Sequence, residues 1–147
     1  MTTIAYKEGV MAADSKAYAG FNTPLGQKCK IRRLSDGTLI GCSSNQVGAG
    51  EAVMDWYARG ANPEDGPKLE ESKFTLLVVK PNGDAFYAFD NFLLSGPIRA
   101  ECYAIGSGEG VAHGAMRAGA SAERAIEIAA ECDVWTGLPV VMLRHEV

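Results

Sequence analysis

The chain has 147 residues, a formal net charge of −4, 47% hydrophobic and 22% charged residues, a composition that excludes a disordered or fibrous polymer and leaves a globular protein. A domain of this length buries roughly 70% of the surface its unfolded chain exposes, so one domain over residues 1–147 is expected to fold without disulfide or metal staples. Lys28, Lys30, Arg32 and Arg33 form the one basic cluster and carry no interleaved aromatics, no run is apolar enough to span a bilayer, and residues 1–8 lack the basic-then-apolar order of a secretory leader; the expectation is a cytoplasmic protein with neither nucleic acid nor membrane as partner.

In chain order, residues 2–6 and 10–14 are short β-prone runs joined by Lys7-Glu8-Gly9, which predicts a hairpin with Asp14 at a strand end. Residues 28–34 and 38–42 flank Ser35-Asp36-Gly37 and predict a second hairpin. Beyond Ser43-Ser44-Asn45 the apolar period lengthens: Ala49, Val53, Trp56 and Tyr57 share one face of a helix that ends before Gly60. Residues 60–72 hold Pro63, Gly66 and Pro67 and read as an exposed connection with at most a short helix.

Residues 74–80 and 85–89 surround Pro81-Asn82-Gly83-Asp84, whose Asn-Gly centre suits a tight hairpin turn because both positions tolerate positive φ. Residues 102–105 form a short strand entering Gly106-Ser107-Gly108, followed by a helix of small residues through Ala112, Ala115 and Met116. Ser121 caps a further helix striped by Ala122, Ala125, Ile126 and Ala129, and residues 138–144 form the last strand. Strands, one helix, strands, two helices and a strand predict a layered α+β architecture rather than alternating βαβ units.

Chemistry starts at Thr2. Removal of Met1, which the small Thr2 side chain permits, leaves one residue carrying both a hydroxyl nucleophile and an α-amine. The hydroxyl needs a base, and an amine with an unperturbed pKa of about 7.7–8.0 is partly neutral near physiological pH. His113 and His145 are the two histidines and no Gly-x-Ser-x-Gly elbow accompanies them, so nothing suggests a Ser-His-Asp triad. Lys30 near Thr2 would favour the neutral amine and stabilise a developing alkoxide, with Asp14 holding Lys30. Taken alone, Lys30 and Asp14 read equally as a structural ion pair, Ser107 as a helix cap, and residues 133–137 as a helix-ending turn. Cys29, Cys42, Cys102 and Cys132 are scattered without a Cys-x-x-Cys pair, which argues against a zinc or redox motif.

Thr2-Thr3-Ile4, Ala12-Ala13-Asp14-Ser15-Lys16-Ala17, Lys30-Ile31-Arg32-Arg33-Leu34, Ile40-Gly41, Ala104-Ile105-Gly106-Ser107-Gly108 and Asp133-Val134-Trp135-Thr136-Gly137 together resemble proteasome β subunits and HslV-type peptidases, in the same order and over nearly the whole chain. The resemblance implies the four-layer αββα sandwich of N-terminal nucleophile hydrolases, with two packed antiparallel sheets, and threonine endopeptidase activity on peptides or unfolded proteins. It implies Thr2 as nucleophile with its own amine as base, Asp14 as the acid that orients lysine, and Lys30 as the activating lysine. Ser107 corresponds to the serine near the terminal amine, and Asp133 and Thr136 to the supporting acid and hydroxyl, with threonine in place of the family's serine. Gly41 is implied as the backbone donor to the oxyanion, with Cys42 as second candidate. No cofactor is called for. A homo-oligomeric ring, hexameric or heptameric and stacked in pairs, is implied, with an ATPase unfoldase as a candidate partner.

The first hairpin is shorter than in these relatives, and residues 60–73 replace most of a longer second helix, which bears on ring geometry and ATPase docking. A small-molecule amidohydrolase of the same fold and a noncatalytic ring subunit stay open as alternatives.

Overall fold

The computed structural model describes residues 2–19, 23–70 and 73–146; Met1, whose removal the sequence reading requires, lies outside the described residues. Two antiparallel sheets form the centre. The first has the order β10-β1-β2-β11, from β1 (Thr3–Lys7), β2 (Val10–Ala13), β10 (Cys102–Gly106) and β11 (Val141–Arg144). The second has the order β5-β6-β7-β8-β9, from β5 (Ile31–Arg33), β6 (Leu39–Ser44), β7 (Phe74–Val79), β8 (Ala85–Phe89) and β9 (Leu94–Ile98). A separate ribbon pairs β3 (Lys16–Ala19) with β4 (Thr23–Gln27).

Strand alternation sorts the core into three apolar layers. Ile4, Tyr6, Met11 and Ile105 of the first sheet face Ile31, Leu39, Leu77 and Val79 of the second. Ala5, Ala12 and Cys102 point the other way, against α2 (Glu109–Arg117) and α3 (Ala122–Cys132). Ile40, Cys42, Leu76 and Val78 turn from the sandwich onto Val53, Met54 and Trp56 of α1 (Ala49–Ala58). The continuous apolar run from Leu76 to Val79 follows from this, because β7 is covered on both faces. The layers are helix, sheet, sheet, helix, the αββα sandwich that the sequence resemblance implied.

Several boundaries differ from the sequence reading. The strand expected over residues 28–34 is only Ile31–Arg33, and Lys28 to Lys30 form an irregular approach to it. Asp14 lies one residue past the end of β2. The ribbon β3–β4 and the edge strand β9 were not foreseen: every residue of β4 and β9 is exposed, so neither carries a buried alternating face, and Pro24 and Pro97 interrupt their strand signatures. Residues 60–70 contain one short 3₁₀ turn, Pro63–Asp65, whose cap is the Asn62 side chain accepting from the Glu64 N–H. Among the described residues no helix is long and apolar enough to cross a membrane.

Leu77 is fully buried at the centre of the sheet-to-sheet layer. Leu77→Ala leaves a cavity between two rigid sheets and is expected to cost about 2–5 kcal/mol, read from the shift of the urea unfolding midpoint.

Candidate active site

The site gathers at one end of the sandwich, where β1 begins and β2 and β10 end. Gly106, the last residue of β10, pairs with Thr3 and has φ +103°. A Cβ built there would lie 1.6 Å from the Thr2 carbonyl oxygen, so only glycine lets β10 turn away against Thr2. The turn brings the Ser107 N–H within 2.9 Å of that same carbonyl. Thr2 itself is 7% exposed.

Asp14 is wholly buried and accepts from groups on three segments. The Thr3 N–H donates to its Oδ1 at 3.0 Å and the Gly137 N–H to its Oδ2 at 3.1 Å. Lys30, 3% exposed, reaches both oxygens through Nζ at 3.0 and 3.1 Å. Burial lowers the Lys30 pKa from its ordinary value, against the opposing attraction and hydrogen bonding of Asp14. Lys30 lines the same cleft as Thr2, and a positive charge near an amine disfavours its protonation and steadies an alkoxide.

A second cluster adjoins Thr2 through Ser107, whose N–H holds the Thr2 carbonyl. The Ser107 and Thr136 hydroxyls both donate to Asp133 Oδ2, each at 2.6 Å. Burial pushes the Asp133 carboxyl up, but these hydroxyls and the Trp135 N–H outweigh it and hold the group below its ordinary value. Gly108 is required beside them, because a Cβ there would stand 2.8 Å from Thr3 Oγ1 and 3.1 Å from Thr136 Oγ1.

Thr2 and Lys30 open onto a cleft of about 390 Å³. Its walls come from Lys16, Tyr18 and Leu25 of the β3–β4 ribbon, from Ser44 to Gly48 between β6 and α1, and from Glu51 and Met54 of α1. Lys28 and Glu51 join across the rim at 2.9 Å, and one helical turn further Arg32 pairs with Asp55, so α1 is tied to the segment that carries Lys30. Cys42 lines the cleft, and burial, with the Glu51 charge adding to it, pushes its thiol up to about 12. That thiol is a packing group and no nucleophile at ordinary pH.

The structure therefore brings Thr2, Asp14, Lys30, Ser107, Asp133 and Thr136 together, and it places Gly41 apart from them. Gly41 sits inside the β6 ladder between Ile31 and Leu77, and a Cβ there would meet Ile4 Cδ1 at 2.6 Å, so its bareness serves sheet packing. The backbone that borders the cleft is Cys42 and the turn from Ser44 to Gly48. Cys42, the second candidate for the oxyanion donor, is the next residue along β6 and lines the cleft. The ribbon wall was missed because it has no fully buried face and Pro24 and Gly26 interrupt its second strand, and Thr3 received no role because a threonine inside a β-prone run looks like strand propensity alone.

Two outcomes test this geometry. Asp14→Asn leaves the Lys30 ammonium buried without its counter-charge and is expected to destabilise the fold by about 3–5 kcal/mol, measured by urea unfolding. The depressed Asp133 pKa means that this carboxylate adds stability above its unfolded pKa of about 3.9 and loses it as pH falls through the lower folded value. Asp133→Asn is accordingly expected to flatten the acid limb of a stability-versus-pH curve while leaving its slope near neutrality unchanged.

No protein-family model matches the sequence, and no curated protein matches it either. Solved structures do. Eukaryotic HslV from Trypanosoma brucei superposes with a TM-score of 0.69 at 21% identity, over 97% of this chain and 99% of that one. Thiobacillus denitrificans BPH gives a TM-score of 0.66 at 22% identity, over 97% of this chain and 95% of that one. The same protein in complex with epoxomicin gives 0.64 at 20% identity, over 99% of both chains. Over nearly its whole length, this chain has the αββα fold of the HslV and proteasome-type threonine peptidases.

Proposed function

We propose that this chain is the threonine peptidase subunit of a self-compartmentalised, HslV-like protease, acting as one domain with Thr2 as its nucleophile once Met1 is removed. One observation carries the reading: Thr2 and the buried Lys30 of the Asp14–Lys30 pair line one cleft, and Ser107 of the Ser107–Asp133–Thr136 cluster holds the Thr2 carbonyl through its N–H. A structural ion pair needs no cleft beside it, and a scaffold needs no buried lysine lining the same cleft as a threonine.

In this reading the Thr2 amine takes the hydroxyl proton as Oγ1 attacks the carbonyl carbon of a peptide bond. A tetrahedral oxyanion forms, and backbone N–H groups bordering the cleft between Cys42 and Gly48 are its candidate donors. The protonated amine passes its proton to the departing amine of the substrate, leaving an ester on Thr2. Water, activated by the same amine, hydrolyses that ester and restores the hydroxyl. Lys30 stabilises the alkoxide, Asp14 holds Lys30, and Ser107 with Asp133 orients the amine. The HslV likeness extends the reading to a ring of identical subunits in the cytoplasm, with unfolded protein as substrate and an ATPase unfoldase as partner.

Intact mass of the purified protein, before and after incubation with epoxomicin, tests it. The expected result is a chain lacking Met1, one epoxomicin addition on Thr2, and a Thr2→Ala variant whose peptide turnover falls by about 10³-fold or more. Retained Met1 with equal turnover by protein and variant would end the proposal.

A further inference from the structure

The buried side of the site contains a chain of hydrogen bonds whose direction is fixed by its ends. The Gly108 N–H donates to Thr3 Oγ1 at 2.9 Å, Thr3 Oγ1 and Thr136 Oγ1 lie 2.8 Å apart, and Thr136 Oγ1 donates to Asp133 Oδ2 at 2.6 Å. An ionised carboxylate accepts only, so the Thr136 proton is committed to Asp133, and the proton between the two threonines comes from Thr3. The order is Gly108 N–H to Thr3 O–H to Thr136 O–H to Asp133, each donor made stronger by the bond it accepts.

Thr3 also has backbone ties to the opposite half of the site. Its N–H donates to Asp14 Oδ1, and its carbonyl accepts from the Asp14 N–H at 3.1 Å. The residue after Thr136 closes the ring, since the Gly137 N–H donates to Asp14 Oδ2. The segments carrying Thr3 and Thr136 thus bracket Asp14 through their amides, and the two threonine hydroxyls lock them to each other.

We propose that Thr3 is a positioning residue for the reaction, whose hydroxyl fixes the Ser107–Asp133–Thr136 cluster relative to the Asp14–Lys30 pair so that both act on Thr2. This rests on the threonine peptidase reading above. Thr3 is fully buried, and its branched Cβ restricts χ1, which holds the oxygen where Gly108 and Thr136 need it. The missing Cβ at Gly108 leaves the space the bond occupies. Without the hydroxyl, the Gly108 N–H loses its acceptor and Thr136 Oγ1 its donor, so the loop bearing Asp133 is free to shift from Thr2.

Steady-state cleavage of a fluorogenic peptide by the full chain tests this, with melting temperature recorded for each variant. Thr3→Val keeps the shape and removes the hydroxyl; its kcat is expected to fall about 10-fold or more with KM changed less than about 3-fold. Thr3→Ser restores the hydroxyl and is expected to recover kcat to within about 3-fold of the unsubstituted protein. Should Thr3→Val fail to fold, Thr3→Ala removes the same hydroxyl and carries the same expectation; where Thr3→Val folds, the double variant with Thr136→Val should be no slower than the slower single one. A folded Thr3→Val with unchanged kcat, a Thr3→Ser as slow as Thr3→Val, or a loss confined to KM overturns the inference while Thr2-dependent turnover keeps the peptidase reading. Turnover that does not depend on Thr2 overturns both.

Discussion

The Asp14 carboxylate is the constraint on which the rest of the site depends. A buried negative charge is tolerable only when it is paired and hydrogen-bonded, and here its partners come from the start of β1, the approach to β5 and the loop before β11. Those segments are distant in sequence, so satisfying one side chain draws three parts of the chain to one point. Lys30 is buried for the same reason: its ammonium has left water because Asp14 replaces the lost solvation. Removing either partner strands the other, which makes the pair a device for position more than a source of net stability.

Around that point three glycines lie closer to neighbouring atoms than a Cβ would allow. Gly106 lies against the Thr2 carbonyl, Gly108 against the Thr3 and Thr136 hydroxyls, and Gly137 against the Lys16 stem, where a Cβ would fall 2.2 Å from Lys16 Cδ. The glycines are therefore part of the site's electrostatics. They let amides reach the carbonyl and hydroxyl oxygens that side chains would otherwise cover, and the Ser107 and Gly108 N–H groups are the result.

The sandwich supplies rigidity and the cleft supplies access. Three apolar layers hold the two sheets in fixed register, so strand ends are dependable places from which to project polar groups. The ribbon β3–β4 and the turn before α1 are more exposed and form the walls through which a substrate would enter. The ion pairs Lys28–Glu51 and Arg32–Asp55 tie α1 to the segment that carries Lys30, where solvent screens them and they constrain geometry at little energetic weight.

Much was legible in the sequence. The alternation of Ile4, Ala5 and Tyr6, the unbroken run from Leu76 to Val79, and the helical stripe of Ala122, Ala125, Ile126 and Ala129 each encode a burial pattern, and local burial patterns are what strand and helix periods record. The order of Thr2, Asp14, Lys30, Ser107 and Asp133 was legible as well, as a set of ordinary residues in a recognisable succession. The role of Thr3 was not, because its hydroxyl bonds to Gly108 and Thr136 join segments far apart in sequence. The walls built by β3, β4 and the turn before α1 carry no period because they bury no face. Periodicity and turn residues sufficed for the strands and helices that bury a face, and the chemical groups could be read directly; which of those groups share hydrogen bonds followed only from the fold, because pairs such as Thr3 with Thr136 and Asp14 with Gly137 exist only once distant strand ends are stacked at one end of the two sheets.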